Sequence, residues 1–200
     1  MVSVGPDSPL KSGNDVLDRL RKDPAALSIA IGSVVGGSNH IGIASVLKAA
    51  GVDIRKLRTV VFKSGSESVV ALMGGHIDLA VGAPEQALQH VQSGKVRALA
   101  VAAPQRLGGA LASVPTWKES GVDVSADTWR GVVGPKGLSE AQIASWDRTL
   151  SQMVASDEWK KDVEKNLWEP SYRNSADTRK FLDDEYRELR TVLVDLGLAK

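Results

Sequence analysis

The feature that most constrains this 200-residue chain is a unit that recurs along its first half: a short continuous apolar run, a loop, a helix-like segment, then a glycine that stops it. Leu27-Ser28-Ile29-Ala30-Ile31 leads into Gly32-Ser33-Val34-Val35-Gly36-Gly37-Ser38, and the stripe Ile43, Ala44, Leu47 and Ala50 ends at Gly51. A second round has a strand at 58–62, the loop Lys63-Ser64-Gly65-Ser66, a helix at 67–73 and a stop at Gly74-Gly75. A third has a strand at 77–81, a proline-started helix at 84–91 and a stop at Ser93-Gly94, and a strand at 96–102 follows. Unbroken apolar strands alternating with helices are what a parallel sheet covered on both faces requires, because each crossover must travel back along the sheet. The expected class is α/β.

Around that array the texture differs. Ser12, with Asp15 three residues on, is set to cap a helix carrying Val16, Leu17 and Leu20, which Asp23-Pro24 ends. Past residue 104, Gly108-Gly109 and Pro115 mark a loop, 128–134 reads as a strand entering Pro135-Lys136-Gly137, and two or more charged helices fill 139–196, the first starting at Ser139. Trp129, beside Arg130-Gly131, is a candidate for a domain junction; packing accounts for the other four tryptophans.

Composition removes several functions. With 42% hydrophobic and 24% charged residues the chain is that of a folded globular protein. A net charge of +1 without a basic run, and 4% aromatic residues, leave nucleic acid without either a phosphate track or a stacking platform. The absence of cysteine excludes disulfides, thiolate metal sites and a cysteine nucleophile. His40, His76 and His90 have no metal-like spacing. Gly32 and Gly37 have the spacing of a nucleotide P-loop, yet Ser38-Asn39 stand where lysine and serine or threonine belong, so the main countercharge for phosphate is missing. Neither G-x-S-x-G nor G-x-G-x-x-G occurs in that loop, and no cofactor is expected. Met1 leads into Val2-Ser3-Val4-Gly5-Pro6 with no basic segment and apolar run, so no signal peptide is expected within the chain.

In a parallel βα array all strand-to-helix loops open on one edge of the sheet, so 32–38 and 63–66 face the same crevice. Both precede helix N-termini, where unpartnered backbone N–H groups and the helix dipole favour an anion by about 0.3–2 kcal/mol and glycines allow close approach. Turn-making and capping explain either loop taken alone. Together, on one edge, they form a cradle for a ligand with at least one anionic group. The candidate binding residues are Ser33, Gly36, Gly37, Ser38, Asn39, His40, Lys63, Ser64, Gly65 and Ser66. His40 beside the loop also admits an ordinary packed histidine, and Lys63 a solvated lysine.

Six segments then match one known family in order. Gly32-Ser33-x-x-Gly36-Gly37-Ser38-x-His40, Phe62-Lys63-Ser64-Gly65, the run from Ala71 through Met73-Gly74-Gly75-His76-Ile77-Asp78, Gly94-Lys95-Val96-Arg97-Ala98-Leu99-Ala100-Val101, Val114-Pro115-Thr116 and Trp129-Arg130-Gly131-Val132-Val133-Gly134-Pro135 resemble the solute-binding proteins of tripartite tricarboxylate transporters, the Bug family. The resemblance runs over nearly the whole chain, although past residue 138 only the helical character matches.

The resemblance implies a periplasmic-binding-protein-like (type II) fold of two α/β lobes, a parallel-rich sheet flanked by helices, and capture of a small carboxylate without chemistry for delivery to a membrane permease. It places the carboxylate-binding loop of the second lobe on 32–40 and the next loop on 63–66. Residues 6–126 would be a complete second lobe. Residues 127–200 would be a crossing strand, at 129–134, and the C-terminal helices of an incomplete first lobe, the strand 2–4 being the other crossing. The apolar faces of those helices, with Leu182, Leu189, Leu193 and Leu196, then require a partner, and a homodimer or a rearranged C-terminal region is expected. The implied ligand is a di- or tricarboxylate or an acidic amino acid, and the implied compartment is the periplasm. Two other readings stay open: a ligand-sensing effector domain of a regulator, which lacks a helix-turn-helix here, and a serine-dependent hydrolase pairing Ser38 or Ser66 with His40, for which no orienting acid or oxyanion hole is visible.

Overall fold

A computed structural model describes residues 1–126, 128–166 and 168–200. The chain divides into two compact units, Met1–Thr128 with Arg190–Lys200, and Trp129–Leu189. Trp129 therefore opens the second unit; Asp127, where the sequence put a boundary, lies outside the described residues.

The first unit is built on a five-stranded sheet of order β3-β2-β4-β1-β5: β1 (Val2–Val4), β2 (Ser28–Gly32), β3 (Arg58–Phe62), β4 (Leu79–Val81) and β5 (Arg97–Ala100). β2 pairs in parallel with β3 and β4, in the registers Ile29↔Thr59 and Ile29↔Leu79, whereas β1 runs antiparallel to both β4 and β5. The sheet is thus parallel-rich, with one reversed strand at the position the sequence assigned to a crossing. β2 is buried along its whole length, as its unbroken apolar run requires. One face carries Ala30 and Ala80, covered by Val69 and Leu72 of α3 (Gly65–Met73) and Ala87 of α4 (Pro84–Gln92). α2 (Ser38–Ala49) packs on β2 and β4 through a helix buried at Ile41, Ile43, Ala44, Val46 and Leu47. α1 (Gly13–Lys22) begins with the expected capping box: Asp15 N–H donates to Ser12 Oγ at 3.2 Å and Ser12 N–H to Asp15 Oδ2 at 3.0 Å. At the opposite edge from the candidate loops, Asp78 Oδ2 accepts from Ser28 N–H and Oγ–H at 2.7 and 2.6 Å and from Arg58 at 3.3 Å, tying the starts of three strands. Burial alone would raise the Asp78 pKa, but these donors and the Arg58 charge outweigh it and hold the carboxyl below its ordinary value.

The second unit contains α5 (Glu140–Ala155), α6 (Asp157–Lys165) and most of α7 (Ser175–Asp195). Ser139 caps α5 and Ser156 caps α6 through their hydroxyls. Aromatic and ionic contacts organise it: Trp129 meets Phe181 edge-on at 5.7 Å and donates from Nε1 to Glu185 at 3.0 Å, and Asp147 accepts from Ser175 N–H and Oγ–H at 2.9 and 2.7 Å. Its apolar core is thin. Among the described residues of this unit Val163 is the one buried aliphatic, and α5 buries none. Since each fully buried aliphatic side chain contributes about 1.5–3 kcal/mol, nearly all hydrophobic stabilisation resides in the first unit.

One expectation fails here. Residues 128–134 form no strand, and Val132 and Val133 are 67% and 91% exposed. The segment has the β-branched residues of a strand, but no described strand pairs with it, and an isolated extended segment has no ladder to hold it.

Candidate functional site

The loop between β2 and α2 is shaped by backbone geometry that few residues accept. Ser33 has φ of 85°, a left-handed conformation costly for a residue with a Cβ, and its N–H is held by Phe62 O at 2.8 Å as the last rung of the β2–β3 ladder. Gly36 has φ of 80°, where glycine carries no such cost. Gly37 N–H closes a turn onto Val34 O at 3.1 Å and the residue then serves as N-cap of α2.

That cap has no side chain. Among the described residues no hydroxyl or carboxylate accepts from the first turn of α2, and no acidic residue lies in that turn. The N–H groups of Ser38, Asn39 and His40 consequently open the helix without a protein acceptor among the described residues, at its positive end. The polar side chains around them are uncommitted: the hydroxyls of Ser33 and Ser38 and the carboxamide of Asn39 make no hydrogen bond among the described residues. Ser33 and Ser38 are exposed, and Asn39 is half-buried.

His40 is different. It is 5% exposed, and its Nδ1 accepts from Gly36 N–H at 3.0 Å. The ring is thereby fixed as the neutral tautomer with Nδ1 as acceptor, and burial holds its pKa below the ordinary histidine value. It pins the glycine turn from beneath. The same turn is braced by the C-terminal segment: a Cβ on Gly36 would lie 3.3 Å from Leu193 Cδ2 and 3.5 Å from Leu198 Cδ1. Asp195 anchors that segment through an ion pair with Lys48, while its carbonyl accepts from Arg55 Nε at 2.7 Å. Nothing local in the sequence signals this bracing, because loop and brace are separated by most of the chain.

The second loop is brought to the same edge, and its helix end is partly capped by side chains. Ser64 Oγ accepts from Glu67 N–H at 3.2 Å, Ser68 Oγ donates to Ser64 O at 3.2 Å, and the Glu67 carboxylate accepts from Lys63 N–H at 2.9 Å. A carboxylate of the chain itself thus sits at the N-terminus of α3. The Lys63 and Ser66 side chains are exposed; Gly65 is buried.

The two loops touch. A Cβ on Gly32 would fall 2.7 Å from Gly65 Cα and 2.8 Å from Ser64 C, so the end of β2 lies directly against the start of α3 and only glycine fits. A third loop joins them, which the sequence reading passed over although the parallel-sheet argument covers it equally: Gln86 of α4 lies over Gly65 and Gly82 and accepts at Oε1 from Ala83 N–H at 3.1 Å. The arrangement supplies backbone N–H groups, hydroxyls and carboxamides, all neutral, around one uncapped helix end. That set suits a carboxylate held by hydrogen bonds.

Comparison with known proteins agrees in fold. Residues 1–198 match the Tripartite tricarboxylate transporter family receptor. The chain is 27% identical over 198 residues to the UPF0065 protein in the gbd 5' region of Cupriavidus necator, covering 98% of this chain and 58% of the relative. Among solved structures it superposes on R. palustris Rpa4515 with adipate (TM-score 0.83, 22% identity, 100% of this chain and 65% of that one). It also superposes on MatC from Rhodopseudomonas palustris with bound malate (TM-score 0.78, 19% identity, 96% and 65%). The chain therefore spans less than two thirds of the length of these relatives. Among the described residues no helix is long and apolar enough to cross a membrane. With a profile match across nearly its full length and an α/β fold shared with these binding proteins, the chain belongs to the tripartite tricarboxylate transporter receptor family.

Proposed function

We propose that this chain supplies the carboxylate-gripping lobe of a periplasmic solute-binding protein that serves a tripartite tricarboxylate-type uptake system, and that it binds without catalysis. The observation that carries the reading is the bare N-terminus of α2, where three N–H groups have neither a side-chain cap nor an acidic neighbour. A carboxylate there accepts charge-assisted hydrogen bonds from Ser38, Asn39 and His40 N–H, with Ser33, Ser38 and Asn39 side chains on its flanks. Gly36 and Gly37 let it approach, and His40 holds their turn. Lys63, Ser64, Gly65 and Ser66 act at one remove: Ser64 and Glu67 cap α3, while Gly65 gives the close contact that sets the two loops side by side.

The ligand class is a di- or tricarboxylate or an acidic amino acid, and the relatives with adipate and malate support it. The non-enzymatic reading is supported by His40, whose Nδ1 is committed to Gly36 rather than to an orienting carboxylate. We further propose that residues 6–126 act as one lobe, that the C-terminal helices belong to a second, and that exposed side chains such as Trp146, Leu182 and Tyr186 dock a partner, a permease subunit or a second copy.

Titration calorimetry with adipate, malate, citrate and glutamate tests the binding step. One of them should bind this chain, at about millimolar affinity where a ligand gripped from one side stays partly hydrated. Ser38→Asp should then weaken it at least about tenfold through like charge at about 4 Å, without loss of thermal stability, because an acidic residue suits a helix N-terminus. Undiminished affinity in Ser38→Asp removes α2 from the site.

A further inference from the structure

α7 ends in a glycine stop whose geometry carries a consequence at the far end of the sequence. Leu198 N–H donates to Leu193 O at 2.8 Å and Gly197 N–H to Val194 O at 2.9 Å, with Gly197 at φ of 74°. These two bonds define the stop in which the residue after the glycine folds back over the last helical turn, so that its side chain and that of the residue whose carbonyl it meets come to one side. Here those residues are Leu198 and Leu193, and it is their methyl groups that meet Gly36. A Cβ on Gly36 would lie 3.3 Å from Leu193 Cδ2 and 3.5 Å from Leu198 Cδ1, and outside its chain neighbours nothing else among the described residues comes within 4 Å.

The stop is also tied to α2 itself. Asp195 pairs with Lys48 in the last turn of α2, its carbonyl accepts from Arg55 Nε at 2.7 Å, and Val192 is buried. The segment therefore reaches the end of α2 through Asp195 and the turn before its start through the two leucines. That turn has two bonds of its own, Gly37 N–H to Val34 O at 3.1 Å and Gly36 N–H to His40 Nδ1 at 3.0 Å. Between them stands a glycine at φ of 80°, with no side chain to pack and wide backbone freedom. The leucine methyls occupy the direction a side chain at 36 would take and supply the wall that the turn cannot supply for itself.

We propose that Leu193 and Leu198 are positioning residues for the ligand: they hold the Gly36 turn in the shape that presents the Ser38, Asn39 and His40 N–H groups. This rests on the carboxylate-binding function argued above and adds a coupling to it. A turn released from its wall must be ordered by the ligand on binding, which lowers affinity in proportion to the time the turn spends out of shape. Linkage makes the coupling reciprocal, so a carboxylate on α2 favours the seated C-terminal segment by the same factor.

Adipate titrations followed by NMR on the 200-residue chain test this. Leu198 is 47% exposed, so Leu198→Ala keeps the fold. It should weaken adipate by about three- to tenfold with the denaturant midpoint of unfolding nearly unmoved, and Leu198→Met should restore affinity to within about twofold. In Gly197→Ala the new Cβ meets nothing within 4 Å, but a Cβ at that φ strains the backbone and loosens the stop, so adipate should weaken over the same range. Val194→Ala changes a side chain of the same segment that does not reach Gly36, and affinity should stay within about twofold. In the native chain, saturating adipate should slow hydrogen exchange at Leu198 and Ala199 N–H, both bonded to Leu193 O, by about the factor that Leu198→Ala costs in affinity. Native affinity in Leu198→Ala and Gly197→Ala, an equal loss in Val194→Ala, or exchange at 198 and 199 indifferent to adipate overturns the positioning role and leaves the carboxylate-binding function standing. If the native chain binds no carboxylate, the function fails and this inference with it.

Discussion

α2 and α3 start from the same edge of one sheet, each behind a glycine/serine loop, yet their N-termini are capped differently. At α3, Ser64 takes the Glu67 N–H and the Glu67 carboxylate reaches back to Lys63 N–H, so that helix start has a side-chain cap and an acidic residue, while the Gly65 and Ser66 N–H groups keep no acceptor among the described residues. At α2 the cap is Gly37, which has no side chain, and the first turn has no acidic residue. The contrast teaches that glycine and serine in a βα loop do not by themselves make an anion site. What matters is whether the chain supplies an acceptor for the first turn or leaves it for a ligand.

The contrast can be broken most severely where the two loops meet. Gly32→Ala places a methyl against the backbone of Ser64 and Gly65, which cannot swing aside as a flexible side chain can, so it should lower stability by about 3 kcal/mol in denaturant unfolding and abolish binding with it. Converting α2 to the state of α3 is gentler to the fold. Gly37→Asp puts a capping carboxylate where the ligand is argued to sit; only Val34 stands close, its exposed side chain with Cγ1 3.1 Å and its carbonyl oxygen 3.2 Å from the new Cβ, so a shift of a few tenths of an ångström accommodates it. Calorimetry should show binding weakened by more than about thirtyfold, with stability changed by less than about 1 kcal/mol. The reverse conversion, Ser64→Ala, should lower stability by about 1 kcal/mol and change carboxylate affinity less than twofold. A loss of binding with Ser64→Ala that matches Gly37→Asp would make the two loops equivalent.

The smallest effect concerns His40. Its pKa in the folded chain is below the ordinary value near 6.5, so the unfolded chain takes up a proton first as pH falls. The stabilisation is complete above about pH 6.5 and declines as pH falls from there toward the depressed folded value. Protonation also turns Nδ1 from acceptor to donor and opposes the Gly36 N–H. Thermal unfolding followed from pH 7.5 downward should show this decline in the native chain and a shallower one in His40→Asn. Identical slopes would mean that the bond from Gly36 contributes nothing measurable.

Much of the fold was legible because it is written in local pattern. The apolar runs at 28–31 and 58–62 became β2 and β3 with little change, and Ser12 and Asp15 cap α1 as their spacing requires. The class follows from those strands, since they cannot close a parallel sheet without the helices between them. The strand at 129–134 did not form, because a strand exists only through a partner and β-branched composition names none. In the site, the glycines of 32–38 mark a turn that forms, with Gly36 at positive φ, while the difference in capping between the two helix starts is a matter of side-chain bonds. Ser64-x-x-Glu67 is itself a capping-box spacing, and Ser64 Oγ caps the Glu67 N–H accordingly. Gln86 was accessible by the same topology that singled out the other loops. The bracing of Gly36 by Leu193 and Leu198 was not, since it depends on a long-range contact that no local pattern encodes.

The most direct test of the central claim, that the α2 N-terminus rather than that of α3 holds the carboxylate, is an amide-resolved NMR titration of the ¹⁵N-labelled chain with adipate. The largest shifts are predicted at the N–H groups of Ser38, Asn39 and His40, with Gly65, Ser66 and Glu67 moving little. Shifts concentrated at Gly65, Ser66 and Glu67, or spread evenly over both helix starts, would contradict the account.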